Sequence, residues 1–293
     1  MRLDIDAVSC GYGDRTVVDE LSLTARAGEV LCLLGPNGVG KTTLFKAILG
    51  LLPLRSGRVL LDGEDASSWP RNRFARAVGY VPQAHAPAFP FTVLDVVTMG
   101  RTAHLGLFAS PSAADRRVAQ ESLERLEVGF LAGRLYNQIS GGERQMALIA
   151  RALAQQAQVL ILDEPTSSLD FGNQVRVLDQ VNRLARDGLC IVMTTHFPEH
   201  AFLCSAQVAL LQRDGPCLVG PAEEIVTEAT MWSAYGARVR IGRLAGSDAP
   251  AVPACLPLIP GVSHDRDPHP ARPSTEPWVV PGPFPAADRK ETP

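Results

Sequence analysis

The segment Gly35-Pro36-Asn37-Gly38-Val39-Gly40-Lys41-Thr42 fits the pattern G-x-x-x-x-G-K-[ST] at every fixed position. It follows an apolar run, residues 30–34, that predicts a buried strand, and it precedes residues 43–49, which predict a helix. In that context the glycines let backbone N–H groups converge on an anion, and the helix N-terminus adds the positive end of its dipole. A ligand-free glycine turn would need neither the lysine nor the threonine. The segment therefore predicts a nucleotide-phosphate site.

Two side chains of this segment carry the chemistry that such a site needs. Lys41 would reach the β- and γ-phosphates and act in catalysis, and the Thr42 hydroxyl would hold Mg²⁺. The nucleotide-binding residues are predicted to run without a break from Gly35 to Thr43. The pattern leaves open which nucleotide is bound and what its hydrolysis drives.

A second apolar run, residues 159–162, predicts another buried strand, and two carboxylates follow it directly. The carboxyl ends of strands line the ligand crevice of an α/β sheet, so both acids are expected beside the phosphate loop. Asp163 is predicted to hold the same Mg²⁺ as Thr42. Glu164 suits the base or orienter of an attacking water. The alternative is a salt-bridged strand end, which the phosphate loop upstream disfavours.

The segment Ser140-Gly141-Gly142-Glu143 predicts a second anion site. Ser140 and Glu143 form a capping box for a helix predicted over residues 142–154, and that box alone would be the simpler interpretation. Glycine, however, costs about 1 kcal/mol relative to alanine in a helix interior. Two glycines in the first turn indicate that a group approaches the backbone closely there. A capped helix N-terminus that lacks side chains suits an anion.

Three further residues have two interpretations each. Tyr12, between glycines on a predicted turn, could offer its ring to a stacked base or be an ordinary surface tyrosine. Gln83 ends a predicted strand before the loop 84–90, where its amide could touch a metal ion or water, or have no special role. His196 lies just past the strand predicted over residues 190–195. It could be structural, or it could donate to a γ-phosphate at the sheet edge that carries the two acids.

The overall composition narrows the class of protein. The 293 residues are 46% hydrophobic, which allows a substantial core, and a net charge of −3 provides no basic field for nucleic acid. Residues 1–6 contain no long apolar run, so no signal peptide is expected. No stretch reaches the roughly 18 apolar residues of a membrane span. We expect a cytoplasmic chain that reaches a membrane only through a membrane-embedded partner.

The six cysteines predict neither a disulfide framework nor a metal site. None are spaced as C-x-x-C, and Cys32 and Cys190 lie inside apolar strand-like runs. Their positions indicate small buried hydrophobes in a reducing compartment.

Residue composition and hydrophobic pattern divide the chain into a domain, a subdomain inserted in it and a tail. Residues 1–245 are predicted to form one nucleotide-binding domain, with a helical subdomain inserted at about residues 84–157. From residue 246 the composition shifts, prolines recur from Pro250 to Pro293, and apolar periodicity is missing. We expect residues 246–293 to form a disordered or polyproline-like tail, either inert or a PxxP ligand.

In order along the chain, these motifs resemble those of the ATP-binding subunit of ABC transporters over about residues 1–240. The A-loop, Walker A, Q-loop, signature, Walker B, D-loop and switch motifs correspond in turn to Tyr12, residues 35–42, Gln83, residues 140–143, Asp163-Glu164, Ser168-Leu169-Asp170 and His196. One departure is Ile139, where the family usually has leucine, which is a conservative packing change. The resemblance implies an α/β P-loop NTPase fold with a RecA-like core, an antiparallel β subdomain and an α-helical subdomain. It also implies an ATPase that uses ATP and Mg²⁺.

The same resemblance implies how the motifs work together. In the family, two subunits pair head to tail, and ATP lies between Walker A of one chain and the signature, here Ser140 to Glu143, of the other. Tyr12 would stack on adenine, and His196 would hold the γ-phosphate. Gln83 would contact Mg²⁺ and couple the site to the membrane subunits, while Asp170 would link the two sites.

A finer resemblance concerns the cargo. Residues 92–101, 166–170 and 220–224, with Tyr235-Gly236, look like importer ATPases for iron-siderophore, haem and cobalamin. Molybdate and tungstate importers share much of this texture and are the alternative. The implied partners are transmembrane permease subunits and, indirectly, an extracytoplasmic substrate-binding protein, which places the chain at the cytoplasmic face of the membrane.

Two other classes of function fit less well. Soluble ABC ATPases that act on nucleic acid or ribosomes generally carry two cassettes, a coiled-coil insertion or a basic patch, whereas this chain has one cassette and a net acidic charge. A binding-only regulatory subunit is disfavoured because both carboxylates, Asp163 and Glu164, and His196 are present. No nucleic-acid partner is expected.

Overall fold

The computed structural model describes residues 1–83, 90–106, 108–204, 207–213, 215–244 and 251–259. The strands are, in chain order, β1 Arg2–Tyr12, β2 Arg15–Arg26, β3 Val30–Leu34, β4 Leu54–Leu61, β5 Glu64–Asp65, β6 Val78–Val81, β7 Val159–Leu162, β8 Cys190–Thr195, β9 Gln207–Leu210, β10 Leu218–Pro221, β11 Val239–Leu244 and β12 Val252–Pro257. The helices are α1 Lys41–Ile48, α2 Arg71–Ala77, α3 Val93–Thr98, α4 Ala113–Arg125, α5 Gly141–Ala154, α6 Phe171–Arg186, α7 Pro198–Leu203, α8 Ala222–Ile225 and α9 Glu228–Tyr235. Among the residues so described, no helix combines the length and apolarity needed to span a membrane.

The central sheet has six strands in the order β10-β9-β3-β8-β7-β6, with β9, β3, β8, β7 and β6 parallel and β10 antiparallel at one edge. Parallel strands buried on both faces are continuous apolar runs, and this is the composition of β3, β7 and most of β8. Successive residues of β3 alternate between two hydrophobic cores, Cys32 and Leu34 in one, Leu31 and Leu33 in the other. The carboxyl ends of these strands therefore meet at one rigid edge.

Two further layers flank this sheet. An antiparallel sheet in the order β2-β1-β4-β5 contributes the core of Leu3, Ile5 and Val59. Helices α3, α4 and α5 pack against one another through the apolar side chains of Val97, Leu123 and others. The fold is the mixed α/β arrangement that the motifs predict.

Two elements have local features that determine their course or their start. Residues 16–18 and 21–24 are parts of the single strand β2. A register shift against β1 and a positive φ of 45° at Glu20 mark a bulge, which bends a continuous strand without ending it. Helix α4 begins after Ser112, because Ser112 and Asp115 form a reciprocal capping box.

The predicted irregular tail does not hold for residues 252–257, which form β12 and pair antiparallel with β11. Cys255, in the middle of β12, is 4% exposed, so this strand contributes to the core. In the described residues β12 pairs with a strand on one side only. Proline lacks a backbone N–H, and it is tolerated in such a strand where that position faces away from the partner, which makes Pro253 and Pro257 compatible with β12. Residues 246–250 and 260–293 of the predicted tail lie outside the described residues.

The described cysteines are all unpaired, and Cys10, Cys32, Cys190, Cys204 and Cys255 are buried. Burial raises the pKa of the Cys190 thiol to about 11, which keeps it protonated and unreactive at neutral pH.

Candidate nucleotide-binding and catalytic site

The phosphate loop runs from the end of β3 to the first turn of α1. Gly40, the N-cap of α1, has φ 112°, and a Cβ there would lie 2.9 Å from Cγ1 of Val17. A Cβ on Gly35 would lie 2.6 Å from the backbone oxygen of Leu211. Only glycine fits both positions, since each needs a left-handed φ and a close approach of other atoms. The loop is thus fixed by packing on both sides, and Val39 within it is 8% exposed.

Lys41 is 6% exposed and curls back over the loop. Its ammonium donates to the Gly35 oxygen at 2.6 Å and to the Pro36 oxygen at 3.1 Å, and Nζ lies 3.9 Å from Oε1 of Glu164. Burial lowers the pKa of this ammonium, and the Glu164 and Asp163 carboxylates oppose that shift. The loop therefore holds a buried cation at its centre, directed toward the carboxylates that follow β7.

Asp163 follows β7, is 5% exposed, and is approached by three hydroxyl groups. Thr194 donates to Oδ1 at 2.8 Å, Thr42 lies 3.4 Å from the same oxygen, and the Tyr80 hydroxyl lies 3.4 Å from Oδ2. Burial, then the charge of Asp163 and the hydrogen bond to it, raise the pKa of Tyr80 to about 12, so this phenol stays a donor. The structure thus brings Thr42 and Asp163 together, as the sequence predicted.

Glu164 adopts a left-handed backbone, with φ 46°. Its N–H donates to the Thr194 hydroxyl at 2.8 Å. One oxygen of its carboxylate, Oε1, lies 3.9 Å from Nζ of Lys41 and 3.5 Å from Nδ1 of His196. A non-glycine residue with φ in this region is uncommon and is held there by its surroundings.

His196 follows β8 and is about one-third exposed, and its ring centroid lies 4.1 Å from that of Phe197 with the two rings tilted by 39°. The next histidine, His200 of α7, is buried at 4% exposure. Its Nδ1 lies 3.0 Å from the Thr195 hydroxyl and 3.3 Å from that of Thr166. Burial, and secondarily the charge of His196, lower the pKa of His200 to about 4, so it is neutral at physiological pH.

Gln83 lies at the same sheet edge, after β6. Its amide donates to the Ser167 hydroxyl at 3.2 Å, in the turn that follows Glu164. Among the described residues, no hydrogen bond joins Gln83 to Thr42 or Asp163. The loop predicted to begin after it, residues 84–89, lies outside the described residues. The metal-contacting role of Gln83 stays a prediction.

Tyr12 is the last residue of β1, and its side chain is 49% exposed. An exposed phenol ring at a strand end is available for stacking, and its stacking on a base stays a prediction.

The signature segment lies at the start of α5. Ser140 caps the helix, with the Ser140 N–H donating to Glu143 Oε2 at 2.8 Å and the Glu143 N–H donating to the Ser140 hydroxyl at 3.3 Å. A Cβ on Gly142 would lie 2.4 Å from the side chain of Asn173, so the close approach inferred from the two glycines is made within the chain at Gly142. Gly141 would meet only Leu169, at 3.6 Å.

The turn before α6 lies beside this segment. Asp170 caps α6 and accepts from the Asn173 N–H at 2.9 Å and from the Asn173 amide at 2.8 Å. No hydrogen bond among the described residues connects residues 140–143 to the phosphate loop. The chain therefore carries two separate candidate anion sites.

Sequence reasoning missed two residues of the site, Thr194 and Tyr80. Thr194 carries a hydroxyl near the end of β8, after the apolar residues 190–193. The switch from apolar to polar side chains within a buried strand is the sequence signal that points to it. Tyr80 stands between buried residues of β6. A tyrosine in that position cannot be distinguished by sequence from an aromatic residue of the core.

Comparison with known proteins agrees with this geometry. The ABC transporter family profile matches residues 18–167. The chain belongs to the ABC transporter family. It is 41% identical over 227 residues to an uncharacterised ABC transporter ATP-binding protein of Haemophilus influenzae, covering 78% of this chain and 86% of that one. It is 36% identical over 251 residues to a hemin import ATP-binding protein of Thermobifida fusca, covering 86% and 87%.

Solved structures give the same assignment. A metal-chelate type ABC transporter in an inward-facing conformation superimposes with a TM-score of 0.79 at 30% sequence identity, covering 88% of this ABC ATPase and 97% of that chain. A nucleotide-free ATP-binding cassette superimposes with a TM-score of 0.69 at 22% identity, which supports the fold. The predicted ATP-binding-cassette fold is confirmed.

The donor set fits Mg²⁺. Thr42 and Asp163 present a hydroxyl and a carboxylate 3.4 Å apart beside the phosphate loop. Mg²⁺ prefers oxygen ligands and is commonly held by one or two protein groups together with phosphate oxygens. These two side chains would supply the protein ligands.

Proposed function

We propose that this chain is the ATP-hydrolysing, energy-coupling subunit of an ABC importer for a metal chelate of the iron-siderophore, haem or cobalamin type. The observation that supports hydrolysis most directly is the grouping of Lys41, Asp163, Glu164 and His196 at one sheet edge, with Glu164 Oε1 within 3.9 Å of Lys41 and 3.5 Å of His196. A chain that only bound nucleotide would not need Glu164 and His196 beside the phosphate loop.

Each residue has a role that follows from its position. The amides of residues 35–42 and the Lys41 ammonium bind the phosphates, and Tyr12 supplies a ring for the base. Mg²⁺, held by Thr42 and Asp163 with Gln83 nearby, would neutralise charge on the β- and γ-phosphate oxygens. The Glu164 carboxylate orients the attacking water and accepts its proton. His196, beside Glu164, donates a hydrogen bond to the γ-phosphate.

The site is completed by a second copy of the chain. The signature helix and the phosphate loop of one chain share no hydrogen bond in the described ranges, yet both present helix N-termini suited to phosphate. A head-to-tail dimer would place Ser140 to Glu143 of one copy against the phosphates held by the other, with Asp170 at the junction. ATP would then be enclosed only when two copies close on it.

The relatives support import of a metal chelate. The relatives include the hemin import ATP-binding protein of Thermobifida fusca and an iron chelatin transport ATP-binding protein of Helicobacter pylori, which is 37% identical over 214 residues. The superimposed structure is of a metal-chelate type transporter. We infer that the chain works with transmembrane permease subunits at the cytoplasmic face of the membrane, where a substrate-binding protein delivers the chelate from outside. Import of molybdate or tungstate is the second candidate cargo.

Reconstitution tests this proposal. The complex of this chain with its permease, in vesicles that contain the substrate-binding protein, would be assayed for ATPase with hemin, an iron-siderophore, cobalamin and molybdate as separate probes. We expect one of the three chelates to stimulate ATP turnover and to co-purify with the binding protein. Stimulation by molybdate alone would select the second cargo. Turnover unaffected by all four probes would contradict the import assignment.

A further inference from the structure

The hydroxyl of Thr194 bridges the two acids that follow β7. It donates to Asp163 Oδ1 at 2.8 Å and accepts from the Glu164 N–H at 2.8 Å. Of the three hydroxyls near Asp163, it makes the shortest contact, since those of Thr42 and Tyr80 lie at 3.4 Å. One side chain thus touches the carboxylate of one acid and the backbone of the next.

The position of Thr194 is set by the sheet. β8 and β7 pair in parallel register, with Leu162 opposite Met193. Asp163, which directly follows β7, therefore lies beside Thr194, which is still inside β8 and pairs with Leu33 of β3. Thr194 is 0% exposed, and its β-branched side chain is stiff at χ1. Because the side chain is out of contact with solvent, water does not compete for the two hydrogen bonds of its hydroxyl.

The two contacts act on different features of the site. The bond to Oδ1 fixes the rotation of the Asp163 carboxylate, which determines the oxygen that faces Thr42. The bond from the Glu164 N–H holds that residue at φ 46°, a backbone conformation that is uncommon for a side chain other than glycine. That conformation directs the Glu164 carboxylate toward Lys41 and His196.

We propose that Thr194 is a positioning residue for ATP hydrolysis, which sets the Asp163 carboxylate for Mg²⁺ and the Glu164 carboxylate for water through one shared hydroxyl. This inference rests on the proposed ATPase function. Thr194 itself does not contact the nucleotide. Its removal is expected to slow the chemical step and disturb metal coordination while leaving phosphate binding by the Lys41 loop in place.

The test compares Thr194→Val, which keeps the shape and removes the hydroxyl, with Thr194→Ser, which keeps the hydroxyl. Thr98→Val is the matched control, because Thr98 is 5% exposed and its hydroxyl donates to the Leu94 oxygen at 2.7 Å, in α3. Thermal unfolding of the three variants and wild type measures the structural cost of losing a buried hydroxyl. Thr194→Ala serves if the valine variant does not fold.

Two readouts separate positioning from stability. In steady-state ATPase assays we expect Thr194→Val to lower kcat by at least about tenfold with KM for ATP changed by less than about threefold, Thr194→Ser to recover most of kcat, and Thr98→Val to leave kcat near wild type. With Mn²⁺ in place of Mg²⁺, electron paramagnetic resonance should show a changed coordination of the Mn²⁺ bound with ATP in Thr194→Val. Binding of ATP in EDTA should be unchanged.

The inference is overturned if Thr194→Val turns over ATP within about twofold of wild type, or if the serine variant is as impaired as the valine variant. It is also overturned if Thr98→Val and Thr194→Val lose kcat equally, because a general loss of structure would then explain both. Wild-type protein that does not hydrolyse ATP would instead contradict the proposed function itself.

Discussion

Nδ1 of His196 lies 3.5 Å from Oε1 of Glu164, and this nitrogen makes no hydrogen bond with any described residue. The two groups come from neighbouring parallel strands, β8 and β7, whose carboxyl ends meet at one edge of the sheet. The phosphate-loop lysine approaches the same Glu164 oxygen at 3.9 Å. One carboxylate and two nitrogen groups thus lie close together, with Glu164 and His196 directly after strands and Lys41 at the first residue of α1.

Removing the charge of Glu164 should stop turnover without stopping nucleotide binding. Glu164→Gln keeps the size of the side chain but cannot accept a proton from water, so we expect ATP turnover to fall by at least about a hundredfold. ATP affinity, measured with a fluorescent nucleotide, should stay within a few-fold of wild type because the Lys41 contacts remain. Turnover near the wild-type rate in this variant would remove Glu164 from the mechanism.

Adding a methyl group at Gly142 should destabilise the protein by overpacking. The new Cβ would lie 2.4 Å from the Asn173 side chain, and relief of that clash would displace the group that holds Asp170. Overpacking of this kind costs roughly 1–3 kcal/mol, so Gly142→Ala should lower the free energy of unfolding by that amount. Urea unfolding followed by circular dichroism measures it.

The adjacent glycine is the matched control for this prediction. A Cβ on Gly141 would meet Leu169 at 3.6 Å, an ordinary contact, so Gly141→Ala should unfold like wild type. The double variant Gly142→Ala with Asn173→Ala should be less destabilised than the sum of the two single variants, because truncation of Asn173 removes the clash. Additive costs would show that the two side chains do not collide.

The neutral state of His200 predicts how stability depends on pH. The pKa of His200 in the folded state is about 4, below its ordinary value of 6.5. At a pH between these two values, the unfolded chain binds a proton at His200 that the folded chain does not bind. Folding stability should therefore fall as the pH falls through this window, by about 1.4 kcal/mol per pH unit from this group.

His200→Asn tests that contribution, because asparagine can still accept from Thr195 but does not titrate. Between about pH 7 and about pH 5, the free energy of unfolding of wild type should fall by roughly 2 kcal/mol more than that of the variant. Parallel pH dependences of the two proteins would show that His200 is not held neutral. Urea unfolding at each pH provides the comparison.

Prediction from sequence succeeded where the local pattern has a strict physical cause. Apolar runs that end in glycine, acid or histidine predict buried parallel strands, and parallel strands must end at a common edge. This is why Thr42 and Asp163 could be expected to meet although they are far apart in the chain. The confirmed family assignment follows from the same ordered motifs.

The rest depended on contacts that no local pattern encodes. Asn173 lies beside Gly142 because the N-termini of α6 and α5 are close in the fold. Thr194 reaches Asp163 because β8 lies next to β7 in the sheet. The prolines of residues 252–257 predict an irregular chain, but these residues form a strand because they pair with β11. That partner strand is not visible in the local sequence. In each case the deciding partner lies elsewhere in the chain.

The central claim, that each ATP site is shared between two copies of the chain, is tested most directly by mixing two inactive variants. Lys41→Ala disables the phosphate loop and Ser140→Arg blocks the signature, so a mixed dimer has one site with both defects and one with neither. If half the dimers are mixed, ATP turnover should recover to roughly a quarter of wild type when the variants are combined. Turnover that stays at the level of the separate variants would contradict a shared site.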